Sequence, residues 1–499
     1  MSNTRRLFKN TVFMYVRMGV LMLISLYTSR VVLHILGVDD FGIYNLVGSV
    51  VALFSSLRGL FSSSTQRFLN FEMGRGNQEK LQTVFNMSVV INAIIAVVFI
   101  LGVEIVGAWF FANKINIDPS RLVAAKWVFQ FSLVSAVISI MTTPFDATII
   151  AHERMDFYAY MSIFEGILKL MIVYLLSIFE YDKLIIYGLL HLAVSIIVIV
   201  CNAEYCRRNF PESHFKQCWD KKYFKEMTAF AGWNFFGNSA YSMTQSVLNM
   251  ELNVFGGAAV NAARGIAYQV QSSVKQCLDN INIVLNPFSI KTYAEGNVGK
   301  LYDLIFLSSK ILFSVQLCLS CILIFLASEI LSIWLVEIPP YTVVFTQLVM
   351  VNSLIRSVHS PIDILFKAVG DLKYYQIIEG VVLSLPILFS FILLRNGASF
   401  YVVFFIVIFF ETLNYLLILL LVRKIAKLPL RVYFRKVLLP MIVCSLICCL
   451  CFIISIIMGN SFISHVIFLI VSLAISLLLM LYVFLSCEER KRFLSLIKK

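Results

Sequence analysis

Two runs of polar side chains recur at helical spacing inside long apolar segments. Asn234, Asn238, Tyr241, Gln245 and Asn249 are spaced by four, three, four and four residues. Arg264, Tyr268, Gln271, Lys275 and Asp279 repeat that spacing, and Asn282 and Asn286 continue it. Residues three and four apart share a helix face, so each run is one polar stripe. Amides and phenols can hydrogen-bond sugar hydroxyls, whereas guanidinium and ammonium groups make charge-assisted bonds to phosphate or carboxylate oxygens. Turned to lipid, such stripes would be very costly, so they must face water or each other. A cavity of cations, tyrosines and amides fits an anionic, sugar-bearing substrate.

Eight cations lie within apolar segments: Arg17, Arg30, Arg58, Lys169, Arg264, Lys275, Lys310 and Arg356. Each costs about 2.5–3.5 kcal/mol at a helix centre on insertion scales. Lys310, Arg17 and Arg30 stand near helix ends and can reach toward the surface. Lys169 has Glu165, and Lys275 has Asp279, one turn away as a pairing partner. Arg264 and Arg356 have no acid three or four residues away. The substrate-binding candidates are therefore Arg17, Arg30, Arg58, Asn234, Asn238, Gln245, Arg264, Tyr268, Gln271, Lys275 and Arg356. Acids also lie deep: Asp146, Glu165, Glu251, Asp363, Glu379 and Glu411. Asp146 and Asp363 follow prolines and are read as bonding freed backbone or neighbouring cations. Glu379 and Glu411 are the candidates to take a coupling H⁺ or Na⁺.

Other chemistries find no support. The six histidines form no pair at i, i+3 or i, i+4, and no G-x-x-x-x-G-K-[ST] phosphate loop occurs. Cys318 and Cys321 form a C-x-x-C within an apolar segment and are read as small packing hydrophobes. No catalytic residue, metal or cofactor is assigned.

The elements that must position these residues follow from composition. Hydrophobic residues make up 60% of 499, only 14% are charged, and the mean hydropathy is +0.87. Runs of some twenty apolar residues recur along the chain, each long enough to cross about 30 Å of hydrocarbon as a helix. Fourteen spans are expected, over 11–36, 42–65, 82–112, 121–150, 156–180, 183–206, 229–255, 257–288, 301–336, 341–368, 371–394, 399–422, 434–458 and 463–486. The first carries Arg17 and lacks an A-x-A site, so it reads as an uncleaved helix and not a signal peptide. With the N-terminus in the cytoplasm, inside segments hold 28 Lys and Arg and outside loops hold 5. That bias predicts cytoplasmic termini and a cytoplasmic stretch 207–228. It also accounts for most of the +13 net charge, which suits anionic headgroups better than nucleic acid.

The chain repeats itself weakly. Gly76-Asn77-Gln78-Glu79-Lys80-Leu81 matches Gly296-Asn297-Val298-Gly299-Lys300-Leu301 at an offset of 220. Thr143-Pro144-Phe145-Asp146 resembles Ser360-Pro361-Ile362-Asp363, and Glu165-Gly166 resembles Glu379-Gly380, at 217 and 214. Three matches in one order predict an all-α polytopic membrane protein of two pseudo-symmetric six-helix bundles plus two C-terminal helices. The expected lobes are 1–206 and 229–424, joined by a basic linker over 207–228, with two further spans and a tail over 425–499. A site between repeated halves is the architecture of alternating-access transporters. In the second span Gly48, Ala52, Ser55, Gly59 and Ser62 form a small-residue stripe, expected to pack closely on another helix.

Arg30, followed by Leu36-Gly37-Val38-Asp39-Asp40-Phe41-Gly42-Ile43-Tyr44, resembles the junction between the first two helices of the polysaccharide flippases. These belong to the multidrug/oligosaccharidyl-lipid/polysaccharide exporter superfamily, and the likeness in layout extends over nearly the whole chain. It implies a V-shaped pair of bundles with helices 1, 2, 7 and 8 lining a central cationic cavity. The implied activity is translocation of undecaprenyl-diphosphate-linked oligosaccharide, of O-antigen or capsule type, across the bacterial inner membrane. The implied partners are an H⁺ or Na⁺ gradient, the bilayer and a glycan polymerase complex. A cation-coupled multidrug exporter and a peptidoglycan lipid flippase of the same superfamily are the near alternatives. A membrane glycan polymerase or ligase fits less well, because the outside loops are short.

Overall fold

A computed structural model describes residues 3–113, 119–176, 178, 181–216, 219–335, 337–457 and 462–479. Every regular element among them is a helix. In chain order these are α1 (Asn3–Arg75), α2 (Gln78–Asn113), α3 (Leu122–Ala151), α4 (Met155–Leu175), α5 (Lys183–Asn209), α6 (Lys221–Ala294), α7 (Val298–Phe325) and α8 (Ala327–Trp334). Then follow α9 (Thr342–Val369), α10 (Lys373–Val382), α11 (Leu385–Arg395), α12 (Tyr401–Ile425), α13 (Leu430–Tyr433), α14 (Leu439–Ile457) and α15 (Phe462–Leu479). Among the described residues, eight helical segments are long and apolar enough to cross a membrane. The α9 helix is not one of them, because Gln347, Asn352, Arg356 and His359 interrupt its apolar run.

Each long helix, α1 and α6, passes through one non-helical glycine. Gly37 has φ 79° and ψ 171°; Gly257 has φ 73° and ψ −170°. A side chain at such angles would clash with its own backbone, so glycine permits the chain to kink there into two arms. The two glycines are 220 residues apart, the offset of the first sequence match. The same offset relates Gly76 and Gly296, both at positive φ. The asparagine after each caps the next helix: Asn77 Oδ1 accepts from Lys80 N at 3.1 Å, and Asn297 Oδ1 from Lys300 N at 3.3 Å. The third match has a packing meaning too. A Cβ on Gly166 would lie 2.9 Å from Leu21 on α1, and one on Gly380 would lie 2.9 Å from Phe236 on α6. In both repeats the glycine lets a later helix approach the first arm of the long one.

The chain forms two compact units, 1–232 and 233–499. In the first, α3 packs on α1, α2 and α5, and α4 packs on α1 and α5. Its core includes Phe99, Val103, Val128, Phe129 and Leu133. In the second, α9 packs on α7 and α12, while α10 and α11 pack on α12. Leu248, Leu252, Ala263, Ala267, Phe345, Val349 and Phe404 form its core. The α14 and α15 helices pack on each other and on α7.

The basic stretch after α5 is docked on the first unit. His152 stacks on Phe210 with ring centroids 3.9 Å apart, and its Nε2 lies 2.5 Å from Glu212 Oε1. Gln82 donates to the His214 carbonyl at 3.1 Å, and the Lys216 N–H donates to Asn86 Oδ1 at 3.2 Å. The Tyr223 phenol donates to Glu72 at 2.9 Å. Burial first, and then the adjoining carboxylate, holds that phenol above its ordinary range, which keeps it a donor.

Lys114, Arg490, Lys491, Arg492, Lys498 and Lys499, which enter the charge bias, lie outside the described residues. So do the side chains of Arg5, Arg6, Arg30 and Arg58 and of most of the small-residue stripe, Gly48 to Gly59.

Candidate functional site

A polar cavity of about 370 Å³ lies within the second unit. Both arms of α6 reach it. Asn234 and Asn238 come from the arm before Gly257; Gln271, Lys275, Asp279, Asn282 and Asn286 come from the arm after it. Gln316 of α7, Ser353, Arg356, His359, Asp363 and Lys367 of α9, and Tyr375, Gln376 and Glu379 of α10 complete the wall. The two stripes therefore converge, as water or polar contact requires of polar faces in apolar helices.

Amides dominate one side. Asn238 Nδ2 donates to the Asn234 carbonyl at 2.8 Å and to its Oδ1 at 3.1 Å, and Gln376 Nε2 reaches the same Oδ1 at 3.4 Å. Gln271 Nε2 donates to Ser353 Oγ at 2.9 Å. Three buried amide oxygens on the wall have no partner among the described residues: Asn282 Oδ1, Asn286 Oδ1 and Gln376 Oε1. An unpartnered buried acceptor is costly, so these oxygens are poised for donors such as hydroxyls. Gln376 comes so near the chain at residue 237 that a Cβ there would lie 1.6 Å from its Oε1. Glycine at 237 makes the approach possible.

Charges are mostly paired on the other side. Arg356 Nε donates to Glu411 Oε1 at 2.9 Å, and Nη2 lies 3.5 Å from Glu379 Oε1. The guanidinium also sits 4.1 Å from the centroid of Tyr241. Lys367 Nζ pairs with Asp363 at 2.6 Å. The neighbouring acids that Arg356 lacks in sequence are thus supplied by α10 and α12. Its positive charge is held by the two residues singled out as ion-coupling candidates. Lys275 differs. It is exposed to the cavity, and no ion pair joins it to Asp279 among the described residues.

Arg264 and Tyr268 lie elsewhere. Arg264 is only 6% exposed and is not on the cavity wall. Its Nη1 donates to Asn249 Oδ1 at 3.0 Å; its Nη2 donates to the Gln245 carbonyl at 3.0 Å and to Gln245 Oε1 at 2.9 Å. Its guanidinium lies 4.3 Å from the Tyr268 centroid. It therefore clasps the two arms of α6 on either side of Gly257, through amide oxygens and no carboxylate among the described residues. A continuous face from Arg264 to Lys275 exists along the helix, but only the Lys275 end meets the cavity.

Arg17 belongs to a second polar cavity, of about 500 Å³, inside the first unit. It lies 4.8 Å from the centroid of Tyr158. The same cavity holds the Lys169–Glu165 pair at 2.6 Å, which matches the i, i+4 expectation, and Asn202 Nδ2 bonded to Asp146 at 2.9 Å. Asp146 thus holds the Asn202 amide of α5. Lys310 is 5% exposed and stays buried, not extended toward the surface. Gln316, His359 and Gln376 are not among the candidates read from the sequence, although His359 shares a helix face with Arg356 and Asp363, and Gln376 with Glu379. Only the third dimension aligns them with the stripes.

No family model matches the chain, and no curated protein matches it. Solved structures do. An outward-facing multidrug resistance MATE family transporter of the MOP superfamily superposes with a TM-score of 0.74 at 14% identity, over 85% of this chain and 96% of that one. A MATE protein in the straight conformation gives 0.73 at 14% over the same shares. A MOP superfamily transporter from Pyrococcus furiosus, described as having a binding pocket of reversed polarity, gives 0.72 at 13%, again over 85% and 96%. The helices of this chain, with their two kinked long members, are arranged in the fold of the MATE transporters of the MOP superfamily.

Proposed function

We propose that this protein is an ion-coupled transporter that carries an anionic glycan linked to a polyprenyl diphosphate across the cytoplasmic membrane by alternating access. The observation that carries this reading is the amide wall of the second unit. Its unpartnered oxygens on Asn282, Asn286 and Gln376 stand beside an ammonium, Lys275, that has no carboxylate within ion-pair distance among the described residues. Sugar hydroxyls satisfy the oxygens, and a phosphate satisfies the ammonium through a charge-assisted bond. Asn234, Asn238 and Gln271 extend the polar wall. Arg17 offers a guanidinium to the first unit's cavity in the same sense. Arg264 holds the α6 arms that present the stripe. Glu379 and Glu411 are the coupling groups: a cation arriving at either carboxylate weakens its hold on Arg356 and frees that guanidinium toward the cavity.

A fluorescent lipid-diphosphate oligosaccharide in proteoliposomes tests this. Lys275→Gln should lower its translocation at least tenfold with folding intact, and adding Asp279→Asn should not restore it. Full transport by Lys275→Gln removes the site from consideration.

A second reading is multidrug export. Asp279, Asp363 and Glu379 also face the cavity, and one solved neighbour is a multidrug resistance transporter. Binding of a lipophilic cation that Glu379→Gln abolishes, with no binding of the lipid-linked glycan, would favour it.

A further inference from the structure

The cavity wall of the second unit carries six charged side chains: Lys275, Asp279, Arg356, Asp363, Lys367 and Glu379. Four of them are neutralised by close partners. Arg356 holds Glu379 and Glu411, and Lys367 holds Asp363. Lys275 and Asp279 are left, one turn apart on the second arm of α6 and both exposed. Neither has a group of opposite charge within ion-pair distance among the described residues. Their order in the chain explains why they do not close on each other. At i, i+4 an acid placed before a base pairs better than the reverse. Glu165–Lys169, Glu204–Arg208 and Asp363–Lys367 have the acid first, and all three are closed at 2.5–2.6 Å. Lys275 and Asp279 have the base first. Two charges of opposite sign, with Cβ atoms about 5–6 Å apart, therefore face the cavity together. They suit a ligand that carries both signs on neighbouring positions.

A second observation says what meets Asp279. Asn282 is three residues further on the same helix face and the same wall, and its buried Oδ1 has no partner among the described residues. A carboxylate and an amide oxygen both accept, so one ligand group that serves both must donate at least twice. A hydroxyl donates once, and so does an N-acetyl amide. An ammonium donates three times and also answers the negative charge.

We propose that the glycan carries a free amine on the sugar joined to the diphosphate. Its ammonium docks on Asp279 and on Asn282 Oδ1, and the diphosphate docks on Lys275. The proposal rests on the lipid-linked glycan reading given above and narrows it to amino sugars. The unpartnered oxygens of Asn286 and Gln376 remain for hydroxyls.

The full-length protein in nanodiscs is titrated with three fluorescent polyprenyl diphosphates that differ at one ring position. They carry glucosamine with its free amine, N-acetylglucosamine, or glucose. We expect the free amine to bind at least tenfold tighter than the other two. Asp279→Asn should bring the three within about twofold of one another, and Asp279→Glu should keep the order. Lys275→Gln should weaken all three and leave the preference for the amine in place. Equal binding of the amine and N-acetyl forms by the unaltered protein overturns the proposal and leaves the glycan reading standing. A preference that survives Asp279→Asn does the same. Binding of none of the three overturns both. The comparison of probes on the unaltered protein decides the outcome even if a variant fails to fold.

Discussion

Arg356 Nε lies 2.9 Å from Glu411 Oε1, although 55 residues separate the two in sequence. With Glu379 at 3.5 Å on the other side, one guanidinium serves two carboxylates from two further helices. Removing one partner of a buried ion pair leaves a charge without compensation, which costs about 3–5 kcal/mol. Arg356→Gln should therefore lower the thermal midpoint sharply. Adding Glu379→Gln and Glu411→Gln should recover most of the loss, because no charge is then stranded. Thermal unfolding of these variants in detergent gives the answer; a triple variant no better than Arg356→Gln contradicts it.

Gly257 carries the kink that folds the two stripes of α6 into one cavity. At φ 73° and ψ −170° a side chain is strained by about 1–3 kcal/mol. Gly257→Ala should be destabilised by about that amount. Gly265, eight residues on in the same helix, has ordinary φ and open space where a Cβ would go. Gly265→Ala should be neutral or gain about 0.5–1 kcal/mol. Equal effects at the two positions, by thermal unfolding, would show that the kink is not a constraint.

Gly237→Ala puts a methyl group on Gln376, whose Oε1 would be 1.6 Å away. That group ends a flexible side chain, so it swings aside and breaks its bond to Asn234. We expect weaker glycan binding, several-fold by fluorescence titration, with little change in stability. In Gly107→Ala the new Cβ would lie 2.2 Å from the Phe129 ring, which is rigid and in the core. There the cost should be about 1–3 kcal/mol of stability. Binding that survives Gly237→Ala unchanged would remove Gln376 from the binding wall.

The charge bias predicts that 207–228 lies in the cytoplasm. A cysteine at position 216, in a background without native cysteines, should resist an impermeant maleimide in intact cells and react in inverted vesicles. Labelling in intact cells would reverse the orientation.

Sequence alone determined that this is a helical membrane protein. The reason is energetic: apolar runs of spanning length leave a bilayer as the only solvent that suits them, and helices as their only satisfied backbone. It also located the polar stripes of α6, since 3.6-residue periodicity is a property of one helix, and the Lys169–Glu165 pair, which lies within one turn. The repeat was legible through local punctuation that backbone geometry demands. Gly76 and Gly296 end helices at positive φ, and Asn77 and Asn297 begin the next ones.

Only the tertiary structure decided which helices share a partner. Arg356 takes its acids from α10 and α12, and Gln376 reaches Asn234 past a glycine. Each of these depends on how helices pack, and apolar faces of similar composition can pack in many registers. The same limit applied to Arg264 and Lys275. Helical periodicity put them on one face, but the kink at Gly257 turned Arg264 toward the opposing arm and left Lys275 facing the cavity. Side chains on one stripe were given different tasks by what the fold brought against each of them.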